Sequence, residues 1–466
     1  MWPFFSPPPP PPPATVVEQL AEVHSALSVG FYPTLFASLC LANHVFNSYL
    51  SHRTRSRLKA RRGIPEAVKR ALGAIDAKEY EKTRQYALAK NIFGVVSAHV
   101  GLVTTALGLY WTPLIWNGPA KSAAAYFGYG PDYEIVRMLL CMLMLSPFEQ
   151  LFSLPLAAYR QLVLEEKFGM NNQSAKSWLI DALKSFVIET IMSALSMAPL
   201  VWTLRSLGKN AWFWGWIFIT GFCIVFNMVY PVFIMPLFNT FSPMEPGPIR
   251  DAIEQLVAKT KLSQHKILVS DGSRQSAHSN AFVTGFFGVN RIVVYDTLLD
   301  NLKGSVADVT AVLAHEVGHA KMRHNYISLL LVMINLFMTF FTYGYTQSEA
   351  RTLVSQFGYE VPEDETAAPP TFLTLNLFFM VFSAIVTPAF EILLNVVTRQ
   401  LEFAADRFSA DLGYDIRPPL KALAKHNMED ADPDPFVSLC RHSHPVTTQR
   451  VVAIDEHLAV LNKKAK

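Results

Sequence analysis

Charged residues are scarce in this chain of 466 residues. Asp, Glu, Lys and Arg make up only 17% of the sequence, whereas 51% of it is hydrophobic. Soluble domains average about 25% charged residues, so this balance disfavours an ordinary soluble enzyme and favours a polytopic membrane protein. The net charge of +3 is too small to indicate a nucleic-acid partner, and no stripe of basic and aromatic residues suggests one.

Cysteine is also rare, and internal repeats are absent from the sequence. Neither a disulfide framework nor a zinc site built from cysteine is indicated, because the cysteines lie far apart. No period of 20–50 residues recurs, which disfavours a solenoid. The first three of the four cysteines fall in apolar stretches; the four are Cys40, Cys141, Cys223 and Cys440.

The N-terminal segment lacks the basic region of a cleaved signal peptide. Residues 1–14 are instead dominated by a proline run, which predicts a disordered polyproline II tail. We take residues 1–28 as this tail, on the lumenal side of the membrane.

Long hydrophobic runs dominate the rest of the chain, and a bilayer core needs about 20 apolar residues per helix. The expected fold is therefore an all-α polytopic membrane protein with seven transmembrane helices. The first span is the least apolar, because Asn43, His44 and Asn47 interrupt it. The seven stretches are 29–50, 92–116, 136–158, 183–203, 212–236, 326–346 and 371–396.

Basic residues predict the orientation of these spans. Six of them, between Arg53 and Arg62, follow the first span, whereas the loop after the sixth span is acidic. By the positive-inside rule the N-terminus lies in the lumen or outside, and the C-terminus lies in the cytosol. The predicted domains are 29–236 with five spans, a cytosolic catalytic segment 237–325, two more spans in 326–396, and a cytosolic segment 397–466.

Two acidic residues, Glu149 and Glu189, fall inside predicted spans, where a charge is costly unless it faces protein or water. They indicate either structural hydrogen bonds within a tight bundle or a water-filled interior.

The pentapeptide from His315 to His319 is the most informative motif in the chain. Residues four apart share one face of a helix, so the two imidazoles can hold one cation. Glu316, beside the first histidine, can then act on a water bound to that cation. The alternative is a pair of ordinary surface histidines.

A catalytic zinc needs a third protein ligand and one open position. Glu402, on a helix that leaves the last span, is the predicted third ligand. Asp406 shares its helix face and can hydrogen-bond the outer nitrogen of a liganding imidazole, for which we take His315. A solvated helix face is the alternative for both carboxylates.

These parts predict peptide hydrolysis. Zinc lowers the pKa of its water towards about 7 and polarises the scissile carbonyl, and Glu316 acts as general base and acid. His444, with Arg450 behind it, is the candidate donor for the oxyanion, and Arg450 is also expected to contact the substrate. The alternative is that both are ordinary polar residues of a C-terminal helix, and these residues alone favour that alternative.

A small hairpin is predicted upstream, from two short β-prone runs, 276–282 and 291–296, with Gly285 between them. Proteases commonly hold a peptide as an added strand on such an edge. Asn280 and Ala281 are the residues expected to make that contact.

Taken together, these motifs resemble the integral-membrane CAAX prenyl protease, a zinc metalloprotease of the a-factor-converting type. His442 departs from the pattern, because the family has an aromatic residue just before Ser443, whereas His444 keeps the family position. The blocks that carry the resemblance are Glu165–Asn171 with Gln173 and Ser174, Ser279–Phe282, the His-Glu-x-x-His helix, Asn395-x-x-x-Arg399-x-x-Glu402-x-x-Ala405-Asp406, and His444-Pro445 with Arg450.

The resemblance implies one Zn²⁺ per chain and removal of the last three residues from proteins that end in a prenylated cysteine. It also implies that the seven helices enclose a water-filled chamber that the zinc site faces. Substrates would be prenylated CAAX proteins or peptides that partition into membrane lipid. The farnesyl or geranylgeranyl preference, a second cleavage, and the oligomeric state stay open.

Lys463-Lys464-Ala465-Lys466 resembles a dilysine retrieval signal for the endoplasmic reticulum membrane, and the inner nuclear membrane is a second expected location. Two other functions remain as alternatives. An HtpX-type quality-control protease would share the metal ligands but has fewer spans. A seven-helix receptor or channel would not need the ligand set.

Overall fold

The computed structural model describes most of the chain. The predicted tail 1–28 and the last two residues of the dilysine pattern lie outside the described residues. Those described are 30–61, 63–130, 133–262, 265–286 and 289–464.

Helices make up most of the described structure, and three of them continue through a wider π-helical turn. The π-helical turns are Trp116–Ala120, Arg160–Glu165 and Tyr230–Ile234. The α-helices are α1 (Phe31–Ala60), α2 (Glu66–Leu72), α3 (Ala77–Ile115), α4 (Lys121–Tyr126), α5 (Glu134–Tyr159), α6 (Glu166–Phe168), α7 (Ala175–Ser206), α8 (Ala211–Val229), α9 (Pro248–Thr260), α10 (Asp296–Asn301), α11 (Val306–Lys321), α12 (His324–Tyr345), α13 (Ala350–Gln356), α14 (Thr371–Asp411), α15 (Arg417–His426), α16 (Pro435–Arg441) and α17 (Thr447–Lys464).

Six helical segments in the described chain are long and apolar enough to cross a membrane. Their most apolar windows are only 0–28% buried, so their side chains are left for lipid or for an internal cavity. The six correspond to the second to seventh predicted spans. They are Ala77–Tyr126, Glu134–Phe168, Ala175–Ser206, Gly208–Leu237, His324–Gln356 and Thr371–Asp411.

The first predicted span, 29–50, is not confirmed, so the count of seven is not confirmed either. Helix α1 has 30 residues, which is long enough, but its mixture of polar and apolar side chains is not that of a typical span. One polar residue is used inside the bundle, because Asn43 Nδ2 donates to the carbonyl oxygen of Ala384 on α14 at 2.9 Å.

The basic end of α1 is tied to the C-terminal part of the chain. Three arginines spaced four residues apart pair with three aspartates spaced two residues apart in the segment between α15 and α16. The ion pairs are Arg53–Asp434 at 2.8 Å, Arg57–Asp432 at 2.7 Å and Arg61–Asp430 at 2.6 Å. This basic end therefore lies on the same side of the bundle as the segment between α15 and α16.

A four-stranded mixed sheet precedes α11. Its strands are β1 (Phe241–Pro243), β2 (His265–Ser270), β3 (Ala281–Phe286) and β4 (Val289–Tyr295), in the order β1-β2-β4-β3. The predicted hairpin is confirmed as the antiparallel pair of β3 and β4, whereas β2 and β4 are parallel. Within the described residues, β3 is an edge strand.

Helix α11 lies between this sheet and α14. Its buried Val312, Leu313 and Val317 belong to the same apolar core as Val283 and Val294 of the sheet. Ser305 caps its N-terminus by accepting a hydrogen bond from the backbone of Asp308. This packing fixes which face of α11 is turned towards α14.

A cavity of about 1450 Å³ lies among α1, α3, α5 and α14. Glu149 lines it, and Glu189 lines a second, smaller cavity of about 610 Å³ between α5 and α7. Of the two alternatives for these residues, a solvent-accessible interior fits the structure. The enclosure of one chamber by seven helices stays a prediction, because four helices supply most of the lining of the large cavity.

Candidate metal centre and active site

The predicted metal ligands converge between α11 and α14. The two Nε2 atoms of His315 and His319 are 3.1 Å apart. Glu402 reaches both of them, with Oε2 3.4 Å from His315 Nε2 and Oε1 3.3 Å from His319 Nε2. Two imidazole nitrogens and both oxygens of one carboxylate, from two helices, therefore lie close together, and we call these three residues the ligand triangle.

This triangle has the size that a zinc ion requires. Tetrahedral bonds of about 2.0–2.1 Å place neighbouring ligand atoms roughly 3.3–3.4 Å apart. The observed separations are 3.1–3.4 Å, and the donor set of two imidazoles and one carboxylate is an established catalytic one. The residues present thus fit the metal that the sequence predicts.

A glycine allows the two helices to approach closely. A Cβ atom at position 318 would lie 3.0 Å from the Phe408 ring, which is tighter than ordinary packing. Gly318 therefore lets α14 approach the face of α11 that carries the two histidines. The side chains of His315 and Glu402 are 6% and 5% exposed, so the ligands on both helices are shielded from bulk water.

Asp406 occupies the position predicted for it, one turn beyond Glu402. His315 Nδ1 donates to Asp406 Oδ1 at 2.9 Å, which leaves Nε2 free for a metal. Arg450 holds the same carboxylate with two bonds, Nε to Oδ2 at 2.8 Å and Nη2 to Oδ1 at 2.6 Å. The guanidinium thus fixes Asp406, and Asp406 fixes the ring.

The surroundings of His315 raise its pKa. Burial lowers the pKa of His315, but hydrogen bonds to Asp406 and Glu402 outweigh burial and raise it to about 9. A liganding imidazole must be neutral, so metal binding releases this proton and affinity falls as the pH falls. Burial and the nearby Glu402 carboxylate raise the pKa of Glu316, which suits a general base.

His444 stands beside the ligand triangle with most of its side chain in the open. Its Nε2 lies 3.3 Å from Glu402 Oε1, and 63% of its side chain is exposed. Helix α14 holds the segment that carries it, since Asn395 donates to the carbonyl oxygen of Cys440 and Arg399 contacts Gln449. His442 is half-buried, and burial lowers its pKa.

The free edge of β3 begins at the predicted peptide contacts. The backbone of Asn280 faces the neighbouring strand, because Tyr295 N donates to its carbonyl oxygen at 3.1 Å. Residues alternate along a strand, so the backbone N–H and C=O of Ala281 point to the open edge, while its side chain is buried. The Asn280 side chain is exposed.

The Glu165–Asn171 block holds the start of this edge in place. Met170 accepts backbone and hydroxyl hydrogen bonds from Ala277 and Ser276 at 3.2 and 3.1 Å. Asn171 forms an isolated antiparallel bridge with Ser276. This block therefore connects the end of a membrane helix to the segment just before the free edge of β3, which the sequence alone did not reveal.

His324 is a site residue that sequence reasoning missed. It is only 4% exposed, and its Nδ1 lies 2.9 Å from Nδ1 of His319. It stands five residues after His319, which is not the spacing of one helix face. Arg323, between α11 and α12, adopts a left-handed conformation with φ 59°, and this break in the helix accompanies the contact of His324 with His319. A third histidine just beyond the motif was the available signal.

We expect His324→Phe to weaken metal binding by about tenfold, because the partner that orients a liganding imidazole is lost. Competition with a calibrated chelator measures this. His265→Phe is the matched control, since it removes an imidazole that bonds Glu254 at 2.8 Å outside the site. Equal affinities for His324→Phe and the unsubstituted protein would contradict the orienting role.

The fold and site together define a membrane-embedded metallopeptidase, in which a carboxylate from a second helix completes the His-Glu-x-x-His pair. Residues 54–240 match the family model described as CAAX prenyl protease N-terminal, five membrane helices. Residues 243–458 match the model of peptidase family M48. The chain belongs to the CAAX prenyl protease 1 family of M48 metallopeptidases, which confirms the resemblance and the enzyme class.

Relatives support this over nearly the whole chain. The CAAX prenyl protease 1 homolog of Arabidopsis thaliana is 32% identical, and the match covers 92% of this chain and 98% of that protein. CAAX prenyl protease 1 of Saccharomyces cerevisiae is 31% identical over 90% and 94%. The crystal structure of S. mikatae Ste24p aligns with a TM-score of 0.81 at 27% identity, covering 91% of this chain and 99% of that one.

Proposed function

We propose that this enzyme removes the C-terminal tripeptide from prenylated CAAX proteins with one bound Zn²⁺. The observation that carries the proposal is the triangle of His315, His319 and Glu402, together with a cavity lined by an earlier part of the helix that carries Glu402. The cavity lining passes down α14 through Pro388 to Glu391, and the same helix continues to Glu402. One helix thus supplies a metal ligand and also lines a cavity that could hold an apolar substrate group.

The chain's own residues supply the proton transfers. When bound, zinc activates a water molecule and polarises the scissile carbonyl. Glu316 accepts a proton from the attacking water and returns it to the leaving amine. His444 donates a hydrogen bond to the oxygen that becomes negative, and its open position beside Glu402 supports this.

Four further residues have supporting roles in this proposal. Asp406 holds His315 in the tautomer that leaves Nε2 free, and Arg450, which we had expected in contact with substrate, acts through Asp406. Asn280 and Ala281 bind the peptide as an added strand, the first by its exposed side chain and the second by its outward backbone.

The membrane gives the enzyme access to its substrate, because a prenyl chain partitions into lipid. We propose residence in the endoplasmic reticulum membrane, and in the inner nuclear membrane, with a lumenal N-terminus and a cytosolic active site. The ion pairs between the basic end of α1 and residues 430–434 support a common, cytosolic side for both. The division into domains at residues 236, 325 and 396 belongs to the same proposal.

A pair of peptides that differ only in farnesylation tests the substrate. We expect the farnesylated peptide to be cut after its cysteine with a kcat/KM at least about 100-fold higher, because burying a chain of this length adds several kcal/mol of binding. Product masses and initial rates give the result. Equal cutting of both peptides would favour an HtpX-type quality-control protease instead.

A further inference from the structure

Two cations near the start of the peptide-binding edge have no acidic partner within ion-pair distance in the described structure. Lys90 lies on α3 with its Nζ 3.9 Å from the ring centre of Tyr86. Arg160 opens the π-helical turn Arg160–Glu165 that extends α5, and such turns are frequent at functional sites. Both side chains are exposed.

The two cations stand at one end of the large cavity. Gly94 and Ala98 line the cavity from α3, and Lys90 is one turn earlier on the same helix face. Leu156 lines it from α5, and Arg160 is one turn later. Phe93 and Tyr159 stack between the two helices, with ring centres 5.9 Å apart.

A continuous set of contacts joins these cations to the residues just before β3. The Tyr86 hydroxyl donates to the buried Glu165 carboxylate at 2.5 Å. The same carboxylate lies 3.9 Å from His278 Nε2. Tyr86 also packs with Ala277 in one apolar cluster. The cations are therefore placed beside residues 277–278, on the side of Asn280 away from β3.

The charges of Lys90, Arg160 and Glu165 do not cancel. Lys90 and Arg160 contribute two positive charges, and Glu165 contributes one negative charge. Asp430, the next acidic group near Lys90, is paired with Arg61 at 2.6 Å. One more anion would neutralise the cluster.

A CAAX substrate carries one such anion, the carboxylate at the end of the segment to be removed. A peptide added antiparallel to β3, the more stable pairing, runs towards lower residue numbers of this chain. The part of a CAAX peptide beyond the scissile bond has three residues, which span about 10 Å when extended. His278 also lies three positions before Ala281.

We propose that Lys90 and Arg160 bind the C-terminal carboxylate of the substrate, so that the enzyme selects the length of the segment it removes. This inference rests on the proposed function. The carboxylate completes the charge of the cluster, while Ala281 and Asn280 hold the peptide backbone between it and the metal ligands.

The test uses the full-length enzyme and two farnesylated peptides that differ only at the C-terminus, one a free acid and one an amide. We expect kcat/KM for the acid to exceed that for the amide by about tenfold, the effect of one charge-assisted contact. In the double variant K90Q/R160Q, the ratio of the two rates should fall close to one. The control R55Q/K82Q removes two exposed charges elsewhere and should keep the ratio.

The other outcomes distinguish a failure of the proposed function from a failure of the carboxylate inference. If the unsubstituted enzyme cuts neither peptide, the proposed function fails. Equal cutting of both, or an acid preference that survives in K90Q/R160Q or is lost equally in R55Q/K82Q, overturns the carboxylate inference alone. If the double variant does not retain its metal, the single variants K90Q and R160Q make the same test, each with about a threefold fall in the ratio.

Discussion

Glu316→Gln is expected to retain its metal and to lose peptide cleavage by about 10³-fold, the contribution of a positioned general base. Glutamine keeps the shape of the side chain but cannot accept the proton of the attacking water. The metal ligands are not touched by this change, because His315, His319 and Glu402 form the triangle without it. Metal content by mass spectrometry and single-turnover cleavage of a farnesylated peptide measure the two effects separately.

His315→Ala is the variant to compare with Glu316→Gln, because it should lose the metal as well as the activity. Removing one of three protein ligands should abolish both metal retention and cleavage. Glu254→Gln is a suitable control, since Glu254 on α9 bonds His265 on β2 at 2.8 Å. Substantial cleavage by Glu316→Gln, or activity of the unsubstituted enzyme after exhaustive chelation, would contradict the mechanism.

Asp406→Asn is expected to weaken metal binding by about 10- to 100-fold, because the carboxylate that orients a liganding histidine is replaced by a neutral group. The same change should lower the free energy of unfolding by about 3 kcal/mol, since it removes the charge partner of a buried arginine. Arg450 is only 12% exposed and makes two bonds to this carboxylate. Chelator competition measures the first effect and denaturant unfolding the second.

Asp411→Asn provides the matched comparison on the same helix. Its carboxylate bonds His457 at 2.7 Å but is 52% exposed, so its loss should change stability by less than about 1 kcal/mol. If Asp406→Asn matched Asp411→Asn in both measurements, the coupling of Arg450, Asp406 and His315 would have no energetic importance.

Much of the active site could be predicted because its metal ligands follow the local spacing of helices. Helical spacing alone puts His315 and His319 on one face, and Glu402 and Asp406 on another. The prediction that these faces meet came from the requirements of zinc, and the structure brings the four residues together. Arg450 was expected beside the substrate, whereas its guanidinium is held by Asp406, since only the packing of α17 against α14 shows which carboxylate it meets.

Apolar composition was sufficient to predict six membrane spans but not to identify the role of the first helix. Six apolar segments exceed the length that a bilayer requires, and the structure has a helix for each. The first predicted span mixes polar and apolar residues, and its helix is anchored by Asn43 and by three arginine–aspartate pairs. Those partners are more than 300 residues away in the chain, so no local pattern could identify them.

The sequence by itself determined that this protein is a membrane metallopeptidase, because hydrophobic length and ligand spacing are local properties of a chain. Only the tertiary structure decided which groups orient those ligands. His324 reaches His319 through a left-handed turn, and Arg450 reaches Asp406 from a different helix. Contacts of this kind depend on the relative placement of whole elements, which is fixed by packing between distant segments and not by any residue pattern within them.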